Sequence, residues 1–101
     1  MVETEVELNR AYRALADTTR RLIIEELAAR DRQSVFEICT RLATRHGVTY
    51  SRQAFSRHLA SLEAAGMLEI EWKGTTKLHS LNRSRLSALA GGWISQFKEQ
   101  R

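Results

Sequence analysis

The stretch from Ser51 to Leu68, SRQAFSRHLASLEAAGML, sets Arg52, Gln53, Ser56 and Arg57 among apolar residues that recur every three or four positions. Guanidinium and carboxamide groups can pair bidentately with base edges, Arg with guanine and Gln with adenine, while hydroxyls and helix N-termini hold phosphates. If Phe55, Leu59 and Leu62 face inward on a helix, the four polar residues must point away from the body, grouped over its first two turns. The spacing therefore predicts a helix with one face for packing and another for a nucleic-acid groove.

Charge is distributed to match. The 101 residues carry a net charge of +4, yet residues 1 to 37 hold eight acids against six bases. Between Ile38 and Leu62 stand Arg41, Arg45, Arg52 and Arg57, two histidines and no acid. A solvated basic face would show the same run, but its coincidence with the polar helix face favours a polyanionic partner.

Other chemistries find little support. No Ser-His-Asp or Cys-His arrangement and no Gly-rich phosphate loop is present, so an enzyme is not expected. A metal sensor needs three or four ligands at compatible spacing. Cys39 stands alone in an apolar pattern, His46, His58 and His79 are scattered singly, and residues from Asn82 onward include no His, Cys or Asp. No metal and no cofactor is expected, and Cys39 reads as a small buried hydrophobe. The alternative is a metal- or redox-responsive switch. A single cysteine suits a reducing compartment, no apolar run approaches the roughly 18 residues of a membrane span, and the N-terminus MVETEVELNR is acidic; a soluble cytoplasmic protein is expected.

The elements that must position these residues are mostly helical. Val6, Ala11, Tyr12 and Leu15 suggest a first helix; Asp17 can cap a second, with Leu22, Ile23, Ile24 and Leu27 inward. Asp31 to Gln33 reads as a turn. Ser34 and Glu37 form a capping box for a short third helix with Phe36, Ile38, Cys39 and Leu42 inward, and ATRHGVTY reads as loop. Ser51 can cap the fourth helix, ended by Gly66. The period then drops to 2: Leu68, Ile70 and Trp72 alternate with Glu69 and Glu71, Lys73-Gly74 offers a turn, and Lys77 to Leu81 alternates again. Leu86, Leu89, Ala90, Trp93, Ile94 and Phe97 complete the pattern as a wide apolar stripe on one last helix.

A short helix, a turn, a polar-faced helix and a hairpin, in that order, is the layout of a winged helix-turn-helix, whose second helix enters the DNA major groove. The expected fold is mainly α with a small β-hairpin: four helices, two strands and a fifth helix in one domain spanning residues 1–101.

ALADTTRRLIIEEL, FEICTRL, SRQAFSRHLASLEAAGML and EIEWKGTTKLHSLN together resemble the ArsR-type (ArsR/SmtB) repressors over about Ala14 to Asn82, SRHLASLEAAGML being the most specific piece. The resemblance implies a homodimeric DNA-binding transcriptional regulator, usually a repressor, bound to a palindromic double-stranded operator. It places Ser51, Arg52, Gln53, Ala54, Ser56, Arg57 and His58 on the DNA side, with Lys73, Thr75, Thr76 and Lys77 at the wing tip. The terminal helices, about 5–15 and 83–98, would supply the dimer interface through Val6, Tyr12, Leu86, Leu89, Ala90, Trp93, Ile94 and Phe97. Asp17-Thr18-Thr19-Arg20 departs from the family's Asp-Pro-Thr-Arg, the wing holds fewer arginines, and His79 replaces a common aromatic. The segment before Ser51 is closer to the branch whose recognition helix begins Ser/Thr-Arg-Gln-Ala, often not metal-responsive. A winged-helix interaction module without DNA is the other alternative, because Trp93, Ile94 and Phe97 demand an apolar partner. The sequence does not specify a small-molecule effector.

Overall fold

The computed structural model describes residues 3–99. The chain runs α1 (Glu5–Leu15), α2 (Thr18–Ala29), α3 (Val35–His46), α4 (Arg52–Ala64), β1 (Leu68–Lys73), β2 (Thr76–Leu81) and α5 (Arg83–Ala90), followed by a 3₁₀ helix, Trp93–Phe97.

Caps account for most helix starts. The side chains of Asp17 and Ser51 accept from the N–H groups of Arg20 and Ala54 at 3.0 and 3.1 Å, satisfying donors that a first helical turn leaves unpaired. Ser34 and Glu37 close the expected capping box, and Thr4 with Glu7 closes another on α1. The end of α4 is a Schellman motif: Met67 N–H donates to Leu62 O at 3.0 Å, Gly66 N–H donates to Glu63 O at 2.9 Å, and Gly66 takes φ 78°. This tight stop feeds β1 directly.

Ala11, Ile23, Leu27, Ile38, Leu42, Phe55, Leu59, Leu62 and Met67 make one buried cluster, so α1 to α4 share a core that the hairpin closes through Leu68 and Leu81. Strands β1 and β2 pair antiparallel with Leu68 opposite Leu81 and Lys73 opposite Thr76, leaving Gly74-Thr75 as the turn, one residue beyond the expected Lys73-Gly74.

Three local expectations are corrected. The third helix continues through Ala43 to His46, and only Gly47 ends it. Phe36, read as inward, and Trp72, which alternates in step with Leu68 and Ile70, are 70% and 63% exposed; Phe36 sits on the solvent side of the first turn of α3, and Trp72 stands near the turn end of β1, opposite Lys77. The last helix is not continuous from residue 83 to 98. Two consecutive glycines each cost about 1 kcal/mol in a helix interior relative to alanine, and α5 stops before them. A Cβ on Gly92 would lie 3.1 Å from Ala88 O. The stripe is thus split: Leu89 is buried in the core with Leu86 packed beside it, whereas Trp93, Ile94 and Phe97 stand out on the 3₁₀ helix.

Candidate nucleic-acid interface

Helix α4 carries its two faces as the periodicity requires. Phe55, Leu59 and Leu62 are buried, and Arg52, Gln53, Ser56 and Arg57 are exposed together near its N-terminus. Ser51 is exposed with its hydroxyl oxygen committed to Ala54 N–H, and Ala54 is half-buried. Tyr50, in the preceding loop, packs its ring 5.9 Å from Phe55 and 6.3 Å from His58, steadying the entry to the helix.

His58 takes a different position from its neighbours. Its Nδ1 lies 3.4 Å from the Arg20 guanidinium and 3.9 Å from the Asp17 carboxylate. Arg20 meanwhile donates to the carbonyls of Ala14 and Arg13, at 2.9 and 3.0 Å. One arginine therefore ties the end of α1 and the start of α2 to the middle of α4, with His58 turned toward that joint.

The positive field is also unevenly spent. Glu26, buried on α2, receives Gln33 Nε2 at 2.7 Å and lies 3.7 Å from Arg41 and 3.4 Å from Arg45. Two of the four arginines that make the region basic thus neutralise a buried carboxylate. Arg52 and Arg57 remain on the outward surface. At the wing, Thr75 and Thr76 are exposed beside Lys73, while Lys77 is held 2.9 Å from Glu63 of α4. That pair braces the wing against the helix and compensates the charge of Lys77.

What fixes the wing was not legible in the sequence. Asp31 to Gln33, read as a turn, is a strap laid along β2. Gln33 and His79 exchange backbone hydrogen bonds of 3.0 and 2.8 Å, Arg32 N–H donates to Ser80 Oγ at 3.0 Å, and Leu81 N–H donates to Asp31 Oδ1 at 2.9 Å. The Arg32 guanidinium grips Glu71 of β1 through two bonds, 2.9 and 3.1 Å, and Arg32 itself has a left-handed φ of 59°. A non-glycine residue rarely adopts that conformation, and here three contacts hold it. The partners lie about 40 to 50 residues apart in the chain, beyond any local motif.

His79 Nδ1 lies 2.9 Å from Gln33 O, to which its N–H donates. Burial lowers its pKa below the usual imidazole value, Lys77 adds to that, and the Gln33 carbonyl and Glu63 oppose it. The unfolded chain therefore takes up this proton near pH 6.5 and the folded chain only at lower pH. The resulting stability is intact above about pH 6.5 and is lost as pH falls through the folded value. Urea midpoints measured across that window are expected to drop more for the natural chain than for His79→Gln; parallel curves would contradict this.

Cys39 is half-buried against the core, and burial raises its thiol pKa despite Arg52 nearby, which disfavours the reactive thiolate. Among the described residues no three His, Cys, Asp or Glu side chains converge as metal ligands. Among the same residues, no helix is long and apolar enough to cross a membrane.

The helix order, the outward polar face of α4 and the strapped hairpin define a winged helix-turn-helix of the DNA-binding kind. No protein-family model matches the chain. An HTH-type transcriptional regulator of Bacillus subtilis (strain 168), YuzN, itself uncharacterised, is 39% identical over 83 residues, spanning 82% of this chain and 90% of the relative. An ArsR-like transcriptional regulator from Rhodococcus sp. RHA1 superposes with a TM-score of 0.74 at 34% identity, over 94% of this chain and 83% of that one. The homodimeric winged helix-turn-helix DNA-binding domain Mb0332 from Mycobacterium bovis, a possible ArsR-family regulator, has the same fold with a TM-score of 0.65 at 20% identity, covering 94% and 88%. The chain belongs to the ArsR-type winged helix-turn-helix transcriptional regulators.

Proposed function

We propose that the protein is a homodimeric repressor that inserts α4 into the major groove of a palindromic operator and acts by occluding a promoter in the cytoplasm. The observation that carries this is the exposure of Arg52, Gln53, Ser56 and Arg57 on one face of α4, over a buried Phe55 and Leu59. Those four read bases and hold phosphates; Ser51 and the helix N-terminus anchor the backbone, and Lys73, Thr75 and Thr76 add wing contacts. His58 and Lys77 act on DNA through the posture of α4 and the wing, given their partners Arg20 and Glu63.

The dimer reading rests on Val6, Trp93, Ile94 and Phe97, all more than half exposed in the single chain. The Tyr12 ring stands edge-on to Trp93 at 6.5 Å, its hydroxyl buried without a partner among the described residues. A two-fold axis through this patch presents two recognition helices to half-sites about 34 Å apart. Leu89 and Leu86 contribute by holding α5 to the core, and Ala90 flanks the patch. A second copy also satisfies the apolar demand that an interaction module without DNA would otherwise explain.

Selection of bound duplexes from a random pool, with zinc and with a chelator, is expected to return the same palindrome in both. Arg52→Ala should cost about 1–3 kcal/mol at that site and relax preference at one base pair. Unchanged affinity and preference would remove α4 from the groove.

A further inference from the structure

We infer that Arg20 is a positioning residue for operator reading: through His58 it fixes α4 against the end of α1, and so sets the half-site spacing that the dimer accepts; the inference rests on the DNA-binding dimer proposed above. Helix α1 belongs to the proposed dimer surface through Val6 and Tyr12, and its fully buried positions are Ala11 and Ala14, with Leu8 and Leu15 partly buried beside them. Alanine methyls let helices approach closely but form low ridges that interlock little. Apolar packing therefore specifies the rotation of α4 against α1 only weakly.

Directional bonds supply what shape does not. The Arg20 guanidinium donates through Nε to Ala14 O at 2.9 Å and through Nη2 to Arg13 O at 3.0 Å, two carbonyls in the last turn of α1. Its remaining nitrogen, Nη1, lies 3.4 Å from His58 Nδ1. Arginine has donors only, so Nδ1 is the acceptor and the imidazole proton sits on Nε2. Asp17 holds the same residue at its backbone, accepting from Arg20 N–H at 3.0 Å. All three guanidinium nitrogens are thus committed, to two different helices, and both Arg20 and His58 are half-buried. His58 follows Arg57 directly, so the bond that holds its ring also fixes the angle at which Arg52, Gln53, Ser56 and Arg57 are presented. With side chains a helix has a radius of about 5 to 6 Å, so a turn of about 10° about its axis moves an outward tip by about 1 Å, enough to break a bidentate pair with a base. In a two-fold dimer both copies share one α1 surface, so neither can turn as a whole to recover the misplacement.

The test uses the full chain and three kinds of duplex: the palindrome returned by the random-pool selection, the same palindrome with one base pair added or removed between its half-sites, and a single half-site. One base pair displaces a half-site by about 3.4 Å and turns it by about 35°. The unsubstituted chain should bind the altered palindromes roughly tenfold or more weakly than the selected one, since a geometry that forbids simultaneous engagement forfeits the gain of linkage. In Arg20→Gln and in His58→Ala that ratio should shrink to about threefold or less, and the double variant should add nothing to either, as two ends of one bond do. Affinity for the single half-site and the association constant in sedimentation should stay unchanged, because a lone half-site lets the whole chain turn to follow α4. His58→Gln keeps an oxygen that can accept from Arg20 and should retain the ratio of the unsubstituted chain. A mere loss of stability lowers binding to all three duplexes alike and leaves the ratio in place. An unchanged ratio in Arg20→Gln and His58→Ala, a ratio lost equally in His58→Gln, or an unsubstituted chain that tolerates the altered spacing overturns the inference and leaves the DNA-binding reading standing. Failure of the unsubstituted chain to bind any duplex removes both.

Discussion

Phe55→Ala is expected to lower the free energy of unfolding by about 3–5 kcal/mol, the range for truncating a fully buried phenylalanine. A domain of this size holds about 5–15 kcal/mol in total, so one substitution removes a large share. Phe55 is the largest fully buried side chain, and it is the residue through which the polar first turns of α4 are fastened to the core. Its loss opens a cavity in the core cluster to which Leu59 and Leu62 of α4 and Ile38 and Leu42 of α3 also belong, and it strands the Tyr50 ring that packs on it. Urea unfolding followed by circular dichroism measures the change, with Phe55→Leu as the milder comparison. A cost below about 1 kcal/mol, the size of a surface effect, would mean that α4 is held some other way.

Trp93→Ala is expected to move the dimer toward monomer by about 2 kcal/mol or more in association free energy, as a central aromatic anchor does. The effect should reach DNA binding at second hand, since each half-site alone gives up the gain from two linked contacts. Trp93 packs edge-on to Phe97 at 5.0 Å and to Tyr12 at 6.5 Å, so it knits the 3₁₀ helix to α1 as one apolar surface. Sedimentation equilibrium at several concentrations gives the association constant. An unchanged dimer would place the interface elsewhere, and a changed unfolding midpoint with unchanged association would make Trp93 a packing residue of the single chain.

The two substitutions bear on features that differ in how they could be read. The three- and four-residue recurrence of Phe55, Leu59 and Leu62 identifies the buried face of α4 from the chain alone, because an amphipathic helix has one way to satisfy that pattern. The stripe from Leu86 to Phe97 invited the same reading, and there the local cost of Gly91-Gly92 outweighed the period. Trp72 shows a third case: alternation told which side of the strand it occupies, but whether that side meets a core depends on how far the hairpin projects.

Local sequence is enough to place the helix starts, through Asp17, Ser34 and Ser51, the inward face of α4, the change of period that makes the wing, and the outward set of Arg52, Gln53, Ser56 and Arg57. All are set by interactions within a few residues, capping bonds and periodicity, which a linear reading can see. Which charges remain outward is settled by contacts across the fold, with Arg41 and Arg45 drawn to Glu26 and Lys77 to Glu63. Such contacts also turn His58 to Arg20 and make Asp31, Arg32 and Gln33 a strap that holds the wing in place. Those outcomes rest on pairings between groups far apart in the chain, where burial sets the strength of each bond and no local spacing announces the partner.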